Sequence, residues 1–229
     1  MSNNFEKNNQ VTIKGEVLNE PEFSHSVLGE GFYNFNIKVP RLSNEADIIP
    51  ITISERLMDN ISVGTVVAFS GQFRSYNKIV GQKSKLMLTV FVRERLDPDS
   101  CEEINSISLI GYVCKEPIYR TTPFGREISD LLVAVNRAYN KSDYLPCIAW
   151  GRNARFALNL EIGEKIEILG RIQSREYQKK IDENTVETRV AYEISINSIG
   201  LAETGEAINS SSVYHSSQNN SRGASENII

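Results

Sequence analysis

Apolar and polar residues alternate over much of the chain. In YLPCIAW (144–150), Leu145, Cys147 and Ala149 form a small inward set, leaving Tyr144, Pro146, Ile148 and Trp150 for the opposite face. In KIEILGRIQSREY (165–177), Ile166, Ile168, Gly170 and Ile172 point inward, and Arg171, Gln173, Arg175 and Tyr177 share the outer face. SLIGYV, LLVAVNR and VETRVAYEISINSI are also rich in β-branched and aromatic residues, so five strands are predicted between residues 105 and 200. YRTTPFGRE (119–127) reads as a turn-rich segment punctuated by Pro123 and Gly125. Between the third and fourth strands, Ala154, Ala157 and Leu160 recur at helical spacing before Gly163 stops the turn.

The pattern occurs twice. Gly15 and Gly111, Pro21 and Pro117, Gly29 and Gly125, Arg41 and Arg137, and Pro50 and Pro146 each lie 96 positions apart. After a three-residue adjustment, Gly64 and Gly163, Gly71 and Gly170, and Ser75 and Ser174 lie 99 apart. Five strands with a helix between the third and fourth is the order of an OB barrel, and glycines inside strands mark the bends that closure requires. The expected fold is therefore all-β, with two tandem five-stranded OB-fold barrels. Each should carry a short helix between its strands 3 and 4. The expected limits are 10–96 for the first, 97–104 for an acidic linker and 105–202 for the second. Residues 203–229 are Ser- and Asn-rich and are expected to be disordered.

Net charge is −4, yet residues 10–96 hold ten Lys/Arg against nine Asp/Glu, and residues 105–200 thirteen against twelve. The acidity sits in the linker (Asp97, Asp99, Glu102, Glu103) and the tail, so both bodies are slightly cationic. Phosphate neutralisation alone would not give strong nucleic-acid affinity at that charge. Cys101, Cys114 and Cys147 form no CxxC pair, and with His25 and His215 they build no zinc set, so no metal or cofactor is expected. No stretch approaches a membrane helix, and the first ten residues lack the apolar core of a secretory signal, so the expected location is the cytoplasm.

What could bind is the outer face of the second copy. Tyr139, Tyr144, Trp150 and Tyr177 are interleaved there with Arg137, Arg152, Arg171, Arg175 and Lys179. Flat rings for bases beside cations for phosphates suit a single strand. The first copy has Ile48, Pro50, Thr52 and Ser54 at the positions of Tyr144, Pro146, Ile148 and Trp150, but keeps Arg74, Tyr76 and Lys78 outward. Phe32, Tyr33 and Phe35 cluster near its second strand. The second copy is thus expected to be the main binder, with weaker or subunit contacts from the first. Two histidines and no phosphate-binding loop leave an enzyme without parts. An RNA-binding OB module and a primosome-type docking protein stay open, since stacking does not by itself tell ribose from deoxyribose.

The runs AVNRAY, YLPCIAWGRNARFA and IGEKIEILGRIQSREY resemble the bacterial single-stranded DNA-binding protein family, specifically in the second copy and loosely in the first. The resemblance implies sequence-tolerant binding of single-stranded DNA in replication, repair or recombination. It also places base-stacking aromatics on Tyr139, Tyr144, Trp150 and Tyr177. Family members with one barrel assemble as tetramers, so two barrels per chain imply a homodimer. They also end in an acidic tip closing in Ile-Pro-Phe that recruits replication and repair proteins. Here the end is SENII, with Ile228 and Ile229 as weak substitutes, which puts that recruitment in doubt.

Overall fold

A computed structural model describes residues 8–43, 45–81, 83–180 and 186–202. The expected disordered tail, with Ile228 and Ile229, lies outside the described residues. The strands are β1 (Asn9–Val17), β2 (Glu22–Val27), β3 (Glu30–Pro40), β4 (Ala46–Ser54), β5 (Val66–Val80) and β6 (Lys83–Leu96), followed by β7 (Asn105–Val113), β8 (Ile118–Thr121), β9 (Glu127–Arg137), β10 (Lys141–Trp150), β11 (Lys165–Lys180) and β12 (Val186–Leu201). A short helix, α1 (Arg152–Ala157), links β10 to β11.

Pairing runs β1–β3–β4–β6–β5 and back to β1, antiparallel except for β4 with β6. The same circuit repeats as β7–β9–β10–β12–β11 and back to β7, parallel only between β10 and β12. One parallel pair in a closed ring of five strands is the OB topology. Gly170 lies where the register of β11 against β12 shifts, and a Cβ there would collide with the Ser195 carbonyl oxygen. Gly71 occupies the same place in β5. Glycine at these bends lets one strand bend sharply across its neighbour, as barrel closure demands.

Two expectations change. The first circuit has no α-helix after its third strand, only one 3-10 turn, Glu55–Leu57, capped by the Ser54 hydroxyl accepting from the Arg56 N–H at 3.2 Å. The connection from Ser54 to Val66 is three residues shorter than that from Trp150 to Lys165, which leaves room for a turn and no more. The turn-rich reading of 119–127 also misses β8, which pairs Ile118–Thr121 with β9. Tyr119 packs against the core and donates from its hydroxyl to Glu127 Oε1 at 2.6 Å, which holds that short strand in place.

The two circuits join edge to edge through β1 and β7, antiparallel, with Val11 opposite Ile107. Those residues are themselves 96 apart, so an approximate twofold axis passes through that pair. Contacts elsewhere obey the same symmetry. The Asn9 side chain bridges the N–H and C=O of Phe73 at 2.9 and 2.7 Å, and the Asn105 side chain bridges those of Ile172 at 2.9 and 2.7 Å. Residues between β6 and β7 fold back on β1, where the Lys14 ammonium donates to the Pro98 carbonyl at 2.5 Å. Among the described residues, no helix is long and apolar enough to cross a membrane.

Candidate nucleic-acid interface

Trp150 ends β10, and the chain turns there through Gly151, whose φ of 52° and ψ of −117° belong to glycine. That turn starts α1 at once and leaves the indole on the outer surface, 39% exposed. Leu145, Cys147 and Ala149 are buried as alternation predicts. Ile148 is not outward in any useful sense: it is 4% exposed, at a point where its strand lies inside the sheet with β12 paired beside it at Ser195. Gln173, also expected outward, is buried and donates to Glu193 Oε1 at 2.7 Å.

A groove of about 510 Å³ runs beside the indole and crosses the junction between circuits, with Arg171 and Arg175 from β11 and Arg41 and Ile48 from the first circuit on its walls. Tyr144 is 48% exposed at the start of β10, its N–H donating to the Ser75 hydroxyl at 2.8 Å. Tyr177 is 37% exposed, with the Arg175 guanidinium 5.9 Å from its ring centre. Tyr139 is 95% exposed at the tip of the β9–β10 hairpin, in a left-handed conformation with φ of 61°. The four rings thus all reach solvent, but among the described residues none touches another; they are spread along the surface. Arg152 is exposed on the first turn of α1, and Lys179 and Lys78 are exposed near the ends of β11 and β5. Tyr76 is 44% exposed on β5.

The arginines divide into two groups. Arg175 is half exposed and reaches Glu193 only at 3.5 Å. Arg171, Arg74 and Arg137 instead serve the junction. Arg171 donates to Asp47 Oδ2 at 3.0 Å, Arg137 to Asp143 Oδ1 at 3.3 Å, and Arg74 lies 3.8 Å from Asp143 Oδ2. Asp47 and Asp143, both buried, were not among the sequence candidates. They too are 96 apart, and each falls on the inward phase of its strand, so extending the repeat would have found them. Burial alone would push the Asp47 carboxyl up, but hydrogen bonds from Arg41 and the Ser174 amide outweigh it and the group lies below its ordinary value. At Asp143 burial prevails over the Ser75 amide and two arginines, and the carboxyl is raised. Arg74 is correspondingly lowered to about 10 by burial and by Arg137.

A family model, the single-strand binding protein family, matches residues 104–201. Single-stranded DNA-binding protein B of Bacillus subtilis (strain 168) is 31% identical over 93 residues, 38% of this chain and 82% of that protein. The chain belongs to the single-strand binding protein family. Single-stranded DNA-binding protein 2 of Listeria innocua is also 31% identical, over 97 residues that make up 39% of this chain; the chain spans about three fifths (61%) of that protein's length. Both stretches are short enough to correspond to one of the two circuits. The wild-type single-stranded DNA binding protein from Thermus aquaticus superposes over 87% of this chain and 95% of its own, with a TM-score of 0.63 and 19% identity. That likeness concerns the fold, and it extends over both circuits.

Proposed function

We propose that the chain binds single-stranded DNA without strong sequence preference, through two OB domains (10–96 and 105–202) joined by the acidic segment 97–104. Bases stack on Trp150, Tyr144, Tyr139 and Tyr177, and phosphates meet Arg175, Arg152, Lys179 and Lys78, with Tyr76 offering a further ring. Arg171, Arg137 and Arg74 contribute from the junction, where carboxylates already hold them. The observation that carries this reading is the indole of Trp150 standing open in a groove beside Arg171 and Arg175, within the residues that the family model matches.

A stacking platform with modest positive charge predicts affinity that depends more on base faces than on charge density. In this reading the protein is not an enzyme and works in the cytoplasm, covering strands exposed in replication, repair or recombination. Two chains would supply four barrels as a homodimer. The test is titration of the full chain with oligo-dT, oligo-U and a duplex of equal length. Tight binding of oligo-dT with weak binding of duplex supports the proposal; preference for oligo-U makes this an RNA-binding module, and binding of none leaves a protein-docking role. Sedimentation equilibrium separately distinguishes a homodimer from a monomer.

A further inference from the structure

The position of Trp150 in the first circuit is held by Ser54, and its strand β4 presents no ring. The aromatic surface is nevertheless there, carried by the two flanking strands. Across β3 the residue paired with Ser54 is Phe32, where the second circuit pairs Ile128 with Trp150. On the parallel neighbour, Phe91 stands beside Thr52, where the second circuit has Ser195 beside Ile148. One circuit thus has a large ring at the end of its third strand and small or aliphatic neighbours; the other has serine there, with Phe32 directly across from it and Phe91 beside Thr52 two residues earlier.

These rings form a continuous ladder. Phe91 lies 5.5 Å from Phe32, and Phe32 stacks on His25 at 5.1 Å with planes 13° apart. Phe32 and Phe91 are half-buried and His25 is exposed at the outer end. Two guanidinium groups lie over Phe91, Arg93 at 5.4 Å and Arg74 at 5.7 Å from its centre. Arg137 joins Arg74 on the wall of a groove of about 410 Å³ that Phe91 and His25 also line, and among the described residues no carboxylate lines it. Asp143 beneath pairs with both Arg74 and Arg137, so one negative charge meets two positive ones, while Arg93 donates to Gln72 Oε1 at 3.3 Å and has no carboxylate partner among the described residues. The Nε of Arg74 is buried without a hydrogen-bond partner among the described residues. Glu30 is turned away, onto the Ser54 hydroxyl and Arg56.

An unbalanced set of guanidinium groups over an open aromatic face suits an anion that carries a flat ring. We propose that the first barrel holds a second subsite for the single strand, in which bases stack on Phe91 and on the His25–Phe32 pair while Arg74, Arg93 and Arg137 take the phosphate. This rests on the reading that the chain binds single-stranded DNA. It revises the expectation that the first copy is a minor contributor, since its rings lie on strands that a position-by-position comparison with Trp150 does not reach.

Trp150 is the only tryptophan, so the two subsites can be read separately. In the full chain, F91W combined with W150F moves the indole to the first barrel, and unmodified protein reports on the second. Quenching of the relocated indole by oligo-dT is expected. Phe91→Ala should weaken binding about tenfold and shorten the length of strand covered per chain, within the range for loss of one stacked base. Phe91→Leu, which keeps the apolar volume, should fold like the parent and weaken binding similarly, because the flat face is gone. If oligo-dT quenches Trp150 in the parent but leaves the relocated indole unchanged, with Phe91→Leu binding at parental strength, the first-barrel subsite is wrong and the proposed function stands. If neither indole responds, both fall.

Discussion

The carboxylate of Asp47 in the first barrel accepts a hydrogen bond from the Ser174 N–H of the second at 2.7 Å, and the mirror contact joins Asp143 to the Ser75 N–H at 2.8 Å. Duplication has thus turned what would be a twofold interface between two chains into an internal one. The two sides are no longer equivalent. Asp47 is satisfied by Arg41 and Arg171, whereas among the described residues Asp143 Oδ2 has no hydrogen-bond donor and faces a partly stranded Arg74.

Replacing Asp47 by Asn should therefore cost more stability than replacing Asp143 by Asn. Loss of a buried, well-bonded carboxylate is worth roughly 1–3 kcal/mol. Asp143→Asn removes a charge that burial already opposes and should cost less. Urea denaturation of the two variants at neutral pH decides the ranking, and equal losses would contradict it.

The pH dependence follows with opposite signs. Asp47 is depressed in the fold, so its contribution is complete above its unfolded value and fades as pH falls through the lower folded one. Asp143 is raised, so the fold takes up a proton there and gains relative stability as pH falls through that raised value. Compared with the parent, Asp47→Asn should show less loss of stability on acidification into the carboxylate range. Asp143→Asn should remove the opposing gain. Denaturation midpoints measured from pH 7 down to pH 3 check both.

Tyr139 is held in a left-handed conformation that costs a non-glycine residue roughly 1–2 kcal/mol. Its side chain is almost fully exposed, so among the described residues little packing offsets that cost. Tyr139→Gly should raise the melting temperature while weakening oligo-dT binding. A variant that loses stability would mean that the ring supports the hairpin and is not reserved for a ligand.

Much of the fold was legible because the repeat spacing of 96 residues exposed two copies, and the placement of Trp150 followed from alternation against Leu145, Cys147 and Ala149. Alternation fails where a strand is covered on both faces. Ile148 and Gln173 read as outward, yet both are buried, and Glu193 holds the second. The roles of Arg171, Arg137 and Arg74 at the junction depend on the packing of one barrel against the other, which the pattern within one copy does not contain. The missing helix of the first circuit was visible only as the three-residue offset. Phe91 escaped because its ring sits one strand away from the position compared.

Salt dependence should be modest. Each phosphate contact to a single strand contributes about 0.7 to the slope of log K against log salt. Arg175→Ala should lower that slope by about one such increment. Arg171→Ala should lower the slope by less and act mainly on stability, since its guanidinium is shared with Asp47. Binding isotherms at several salt concentrations separate the two, and identical slopes for all three proteins would refute the division.

The most direct measurement is the fluorescence of Trp150 as oligo-dT is added to the full chain, with Trp150→Ala as its companion. Stacking predicts strong, saturable quenching and a loss of roughly 1–3 kcal/mol in binding for the variant, a figure known for base stacking in single-strand-binding OB folds and not obtained from this chain. An emission that stays unchanged while oligo-dT binds, with the alanine variant binding equally well, would show that the strand lies elsewhere and would contradict the account.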